Sequence, residues 1–102
     1  MSVTFHIREQ EATIQVHGHF NFAQHGAFRD ACKAVLAQPG VKSVEINLME
    51  VDHLDSSALG MLLVLRDQVE ERHIQRLLIS NAKPVVRQIF AIAKFDKFFE
   101  ID

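Results

Sequence analysis

The chain has no surplus of basic residues, no second cysteine and no long apolar run, and each lack closes off a class of function. Its 102 residues hold 11 Lys and Arg against 13 Asp and Glu, a net charge of −2 with histidine neutral. Nucleic acid and anionic membrane surfaces are bound by neutralising phosphates with cations, so direct nucleic-acid binding is not expected. The single cysteine, Cys32, excludes an internal disulfide and any CxxC redox or zinc pattern. Nothing approaches the roughly 18 uninterrupted apolar residues of a membrane span. The stretch from Met1 to Gln10 alternates and carries charge, unlike a secretory leader. A cytoplasmic protein without a membrane span is therefore expected.

Catalytic and metal signatures are missing too. There are six histidines, among them His17, His19, His25 and His53, but no HxxxH or HExxH pair. Ser56, His53 and Asp52 could be written as a hydrolase triad, yet no G-x-S-x-G elbow is present and the three lie too close in sequence. No glycine-rich phosphate loop occurs. The expectation is a protein that is not an enzyme, with no cofactor and no metal. Linkers, internal repeats and low-complexity tracts are likewise absent, and the length suits a single domain over residues 1–102. A domain of this size can bury about two-thirds of its unfolded surface, so it needs no metal or disulfide.

What is present is patterning. Val3, Phe5 and Ile7 alternate with polar residues, and Ala12, Ile14 and Val16 do the same after a short polar link, predicting a hairpin that ends at Gly18. His19-Phe20-Asn21-Phe22 reads as a loop whose aromatics are either exposed or anchoring. A helix from about Ala23 to Ala37 follows, with Phe28, Ala31, Cys32, Val35 and Leu36 on one face and Gly26 weakening its first turn. Cys32 thus reads as a small core residue. Gln38-Pro39-Gly40 stops this helix. Val44, Ile46 and Leu48 predict a third strand, and a second helix is expected from about Ser57 to Glu71, with Leu59, Leu62, Leu63, Arg66 and Val69 along one side. Gly60 inside it costs about 1 kcal/mol against alanine. Close packing on the sheet is the simpler reason for it, and approach by a partner the other. Arg76 to Ser80 suits a strand covered on both faces. Pro84 opens a third helix with Val85, Val86, Ile89, Phe90 and Ala93 as its stripe, Lys94 to Lys97 turn the chain, and Phe98 to Ile101 give a last short strand. Phe98 and Phe99 either complete the core or form an interface. The order β-β-α-β-α-β-α-β predicts an α/β fold: a mixed sheet of four or five strands, an antiparallel edge, and helices packed mainly on one face.

Between the third strand and the second helix lies Asp55-Ser56-Ser57. A hydroxyl at a helix start can cap it, accepting a backbone N–H that lacks a partner. It can also accept a phosphate, which the free N–H groups and the helix dipole favour. Glu50, Asp52 and Asp55 surround the point. A phosphate would add about −1.5 to −2 charges there, tolerable to the helix but not to a docked partner presenting carboxylates or an apolar patch.

The run Asp55-Ser56-Ser57-Ala58-Leu59-Gly60 after a Val-Glu-Ile-Asn-Leu strand resembles the D-S-[ST]-G-L-G of STAS domains, the fold of anti-sigma factor antagonists. Gly18-His19-Phe20-Asn21 resembles the family's G-E-L-D loop, and Asn81-Ala82-Lys83-Pro84-Val85-Val86 the segment before its later helix. Length and element order agree over essentially the whole chain. The resemblance implies phosphorylation at Ser56, with Ser57 as the neighbouring hydroxyl and backup acceptor. It implies a partner- and kinase-binding face of Gly18, His19, Asn21, Asp52, His53, Asp55, Ser57, Ala58, Leu59 and Gly60. The implied partners are an anti-sigma-type serine kinase, or a response regulator with a kinase domain, and a PP2C-type phosphatase. Release on phosphorylation would control transcription, biofilm or motility circuits. A non-switched STAS subunit of a lipid ABC transporter is the alternative. Ala58 stands where the family has glycine, Asn21 where it has aspartate and His19 where it has glutamate.

Overall fold

The computed structural model describes residues 2–102, so Met1, the first residue of the expected domain, lies outside the described residues. The hairpin forms as the alternation predicts. β1 (Val3–Arg8) pairs antiparallel with β2 (Glu11–Phe20), and Val3, Phe5 and Ile7 sit opposite Val16, Ile14 and Ala12. A short 3-10 turn, Phe22–Gln24, leads into α1 (His25–Leu36). Next come β3 (Ser43–Leu54), α2 (Ser56–Glu71), β4 (Arg76–Ser80), α3 (Pro84–Ile92), a second 3-10 turn and β5 (Glu100–Ile101).

The five strands lie in the order β1-β2-β3-β4-β5, all parallel after the first pair. Each parallel step moves to the next strand in the same direction, and crossovers of one hand, the right-handed rule for such units, put all three helices on the same face. Burial agrees. Ala12, Ile14, Val16, Val44, Ile46, Leu48 and Ile79 are buried under the helices, while Thr13, Gln15, Glu45 and Asn47 between them are half-exposed on the other face. β4 is therefore not covered on both faces as its apolar run suggested. Leu78 is half-buried on the open side, where the Ser80 hydroxyl donates to Glu45 at 2.5 Å. Arg76 holds Glu100 through both guanidinium arms, fastening the two-residue β5 to the sheet.

Three further expectations change. β2 does not stop at Gly18, nor β3 at Leu48; each continues to the end of the sheet. Two register shifts occur, between Gln15 and His17 and between Gly18 and His19, where β3 carries an extra residue. Such bulges break the two-residue alternation, so the second half of β3 does not look like a strand in sequence. Gly18 has φ +82, a left-handed conformation open to glycine at the second shift. On α2 the buried residues are Ala58, Met61, Leu62, Leu65 and Val69, so the core-facing stripe is rotated from the expected one. Leu59, Leu63 and Arg66 fall on its margin, half-buried.

Cys32 is buried, as its register implied, and burial pushes its thiol up to about 12, leaving it protonated and inert at neutral pH. The two loop aromatics divide the alternatives between them. Phe20 is fully buried with its ring 5.0 Å from that of Phe28, whereas Phe22 is 69% exposed. The C-terminal pair divides likewise: Phe99 stacks on Phe95 in the core, and Phe98 lies at the surface beneath the Arg66 guanidinium. Because Phe20 anchors the end of β2, Phe20→Ala is expected to cost about 3–5 kcal/mol, the usual range for deleting a buried aromatic ring. Urea unfolding of the variant against the parent chain measures this.

Candidate functional site

The register of β2 on β3 assembles the site. At their C-terminal ends Gly18 pairs with Val51, His19 with His53 and Phe20 with Leu54. Phe20, Val51 and Leu54 point into the core, and His19 and His53 lie exposed with ring centroids 6.1 Å apart. Segments about 35 residues apart in sequence thus share one rim, at the carboxyl ends of parallel strands, where crevices in open α/β sheets form.

Asp55 closes the strand and starts α2. Its N–H donates to the Phe20 carbonyl at 3.3 Å, and its carboxylate accepts the Ala58 N–H at 3.1 Å. This is an N-cap, so capping belongs to Asp55 and neither serine hydroxyl is needed for it. Ser56 and Ser57 occupy the first two helical positions, whose N–H groups have no partner within the helix. Ser56 is exposed and Ser57 half-buried. Asn21 plays the matching part on the neighbouring loop, where its side-chain oxygen accepts the Ala23 N–H at 3.0 Å and starts the 3-10 turn. The Gln24 side-chain amide donates to the His19 carbonyl at 3.3 Å, bracing that loop.

Asp52 sits at the second bulge, exposed, and its carboxylate meets Lys83 Nζ at 2.5 Å. The hydrogen bond from the Lys83 ammonium, then its charge, holds the Asp52 carboxyl below its ordinary range, with a small contribution from His19. Lys83 directly precedes Pro84 at the start of α3, so this pair ties the third helix to the rim. Sequence reasoning did not place Lys83 in the site; its one signal was the position before a proline that opens a helix. Beside it Glu50 accepts from His17 Nδ1 at 3.1 Å.

Among the residues of the implied binding face, Gly18, His19, Asn21, Asp52, His53, Asp55 and Ser57 lie with Ser56 on the segments that meet at the C-terminal ends of β2 and β3 and the start of α2. Ala58 does not reach the surface, since it is fully buried beneath the helix start and forms the floor. Leu59 is half-buried and Gly60 exposed on the first turns of α2. The packing explanation for Gly60 fails, because a Cβ built there meets nothing within 4 Å. Among the described residues no group of three or more His, Cys, Asp or Glu is disposed to hold a metal ion, and no helix is long and apolar enough to cross a membrane.

The family model described as the STAS domain matches residues 3–102. A STAS-domain containing protein of Pseudomonas aeruginosa (strain UCBPP-PA14) is 44% identical over 92 residues, covering 90% of this chain and 88% of that one. Among solved structures, an anti-sigma factor antagonist from Mycobacterium paratuberculosis superposes with a TM-score of 0.84 at 19% identity, covering 97% of this chain and 82% of that one. The anti-sigma factor antagonist SpoIIAA in its unphosphorylated form gives 0.75 at 18% identity, covering 98% and 86%. The Bacillus cell fate determinant SpoIIAA in its phosphorylated form gives 0.74 at 17% identity, covering 98% and 90%. At these identities the structural likenesses establish the fold.

Two measurements test the geometry. Asp55→Ala is expected to destabilise the fold by about 1 kcal/mol through loss of the cap, with Asp55→Asn retaining most of it, as read by chemical denaturation. Lys83→Met is expected to return the Asp52 carboxyl to the ordinary aspartate range in a carbon-13 NMR titration. The folded value is lowered, so the pair's stabilisation is present above the unfolded aspartate pKa, near 4, and is lost as pH falls through the folded value. The variant is expected to lack that acid-side loss.

Proposed function

The chain belongs to the STAS domain family, and from that premise we propose that it is a phosphorylation-switched regulatory binding protein of the anti-sigma factor antagonist type. In this reading it is a cytoplasmic, non-enzymatic module acting as one domain over residues 1–102. The unphosphorylated face around Ser56 docks on a partner regulator, and a phosphate on Ser56 releases it. The observation that carries the reading is the exposed Ser56 hydroxyl at the first position of α2, with the capping duty already taken by Asp55.

Physical chemistry supports the direction of the switch. A phosphate on Ser56 would meet the free N–H groups and the positive end of the α2 dipole, so the fold tolerates it. It would also add about −1.5 to −2 charges to a rim that already holds Asp55 and Glu50. A partner seated there with carboxylates or an apolar patch would lose both charge complementarity and dry contact. Ser57, half-buried and one residue further into the helix, serves as the backup acceptor. The partner is an anti-sigma-type serine kinase or a response regulator carrying such a kinase domain, and a PP2C-type phosphatase restores the hydroxyl. His19 and Asn21 stand where other members carry acids, so the rim meets its kinase with two fewer carboxylates, which bears on partner choice.

Copurification from native cells, with mass spectrometry of partners and of Ser56 and Ser57, is the test. Ser56→Ala is expected to retain the partner, and Ser56→Asp to lose it by about tenfold or more in affinity with the fold intact. Equal binding by both variants, with no phosphate found on the parent chain, overturns the switch. Stable copurification with a transporter ATPase, unaffected by Ser56→Asp, would assign the chain instead to a non-switched subunit of a lipid ABC transporter.

A further inference from the structure

Strand β1 is an open edge of the sheet, with backbone groups still to be satisfied. The His17 N–H donates to the Ser2 carbonyl at 2.8 Å, and the register runs from Val3 opposite Val16 to Arg8 opposite Glu11 without a shift. In an antiparallel pair, residues alternate between exchanging both hydrogen bonds and exchanging none. Ser2, Thr4, His6 and Arg8 therefore turn their N–H and C=O groups toward β2, and Val3, Phe5 and Ile7 turn theirs outward. Among the described residues, no backbone hydrogen bond from a loop or cap reaches those outward groups. Native edges are commonly guarded by shortness, proline, a bulge or charge. β5, at the opposite edge, is two residues long, whereas β1 has six, with no proline, no bulge against β2 and its one fixed charge, Arg8, at its end.

The helix-covered side of this edge is incomplete as well. Phe5 is 44% exposed there, beside a depression of about 470 Å³ lined by Val3, Thr4, Phe5, Ala27, Asp30 and Ala31. α1 packs along β1, and the flank it turns to the edge carries small side chains, Ala27 and Ala31, with Ala34 next in helical spacing. Asp30 and Lys33 stand exposed above that flank with opposite charges.

We propose that β1 pairs antiparallel with β1 of a second copy of this chain, about a two-fold axis through Phe5, so that one sheet runs through both copies. Hydrogen bonds form only where outward residues meet outward residues. Among two-fold registers of that kind, the one centred on Phe5 keeps every pair inside β1: Phe5 meets Phe5, and Val3 meets Ile7. Thr4 then stands beside His6 and Arg8 beside Ser2, so no like charges face each other directly. Each Phe5 ring enters the depression next to the other copy's Phe5. The axis stands perpendicular to the sheet, which sets the two α1 helices side by side, and alanine flanks let helix axes approach to about 8 Å. A strand from another protein would need the same outward spacing and an equally small flank, and a second copy brings both. Such an interface is isologous, each copy using the same surface.

The proposal does not depend on the Ser56 switch, and its test separates the two. Sedimentation equilibrium of the full chain is expected to show a monomer–dimer equilibrium in the micromolar range, as suits an interface at the small end of the usual sizes. Phe5→Pro removes an outward N–H and none that β2 uses, so it is expected to fold and to weaken the dimer by at least about tenfold. Phe5→Lys keeps that N–H, sets two like charges on the axis and is expected to weaken the dimer as well. Thermal midpoints check that both variants fold. In hydrogen exchange the Thr4, His6 and Arg8 amides are expected to be slow at every concentration, and those of Phe5 and Ile7 to become slow only as the dimer forms. Ser56→Ala and Ser56→Asp are expected to dimerise as the parent does. A chain that stays monomeric overturns the proposal and leaves the edge to a strand of another protein. A dimer that persists in both folded variants, or that protects amides elsewhere instead, overturns it too.

Discussion

Everything at the rim depends on how the ends of β2 and β3 pair. In a regular strand Val51 and Leu54, three residues apart, would face opposite sides of the sheet. The extra residue at Asp52 puts both into the core and turns Asp52 and His53 outward. Phe20 then locks the facing strand, since its ring packs on Phe28 while its carbonyl receives the Asp55 N–H. One bulge therefore sets which side chains the surface displays, where α2 begins and how close the Gly18–Asn21 loop lies to that beginning.

Charge around the rim is divided by commitment. Asp55 spends its oxygen on the helix cap and Asp52 is paired with Lys83, so neither acid is idle. Glu50 is engaged by His17. The exposed Ser56 lies among groups already satisfied by their neighbours, so a change of charge on it would break none of the hydrogen bonds and ion pairs that Asp55, Asp52 and Glu50 make.

Helix α2 serves three surroundings at once. Ala58, Met61, Leu62, Leu65 and Val69 hold it to the sheet, and its first residues belong to the rim. The side bearing Gly60 and Val64 turns toward α1 and stays open. A helix with such divided duties has no clean apolar stripe, which is why its core face was misjudged from periodicity. Leu59 and Leu63 are as apolar as Leu62 and Leu65, and only the angle at which the sheet meets the helix distinguishes them.

Local chemistry was enough to determine element order, the hairpin, the helix stops at Pro39-Gly40, the start at Pro84 and the buried thiol of Cys32. These follow from alternation, helical spacing and backbone restriction, which act over a few residues. The Asp55-Ser56-Ser57 motif was legible as a helix start for the same reason, and its likeness to STAS domains named the fold. Other features needed the folded chain. Which of Asp55, Ser56 and Ser57 caps α2 was decided by the Phe20 carbonyl that fixes Asp55. The far half of β3, the Asp52–Lys83 pair and the open space beside Gly60 each arise where distant segments meet. A bulge, an ion pair across 31 residues and a groove between two helices are set by the packing of the whole sheet, and no pattern confined to one segment encodes them.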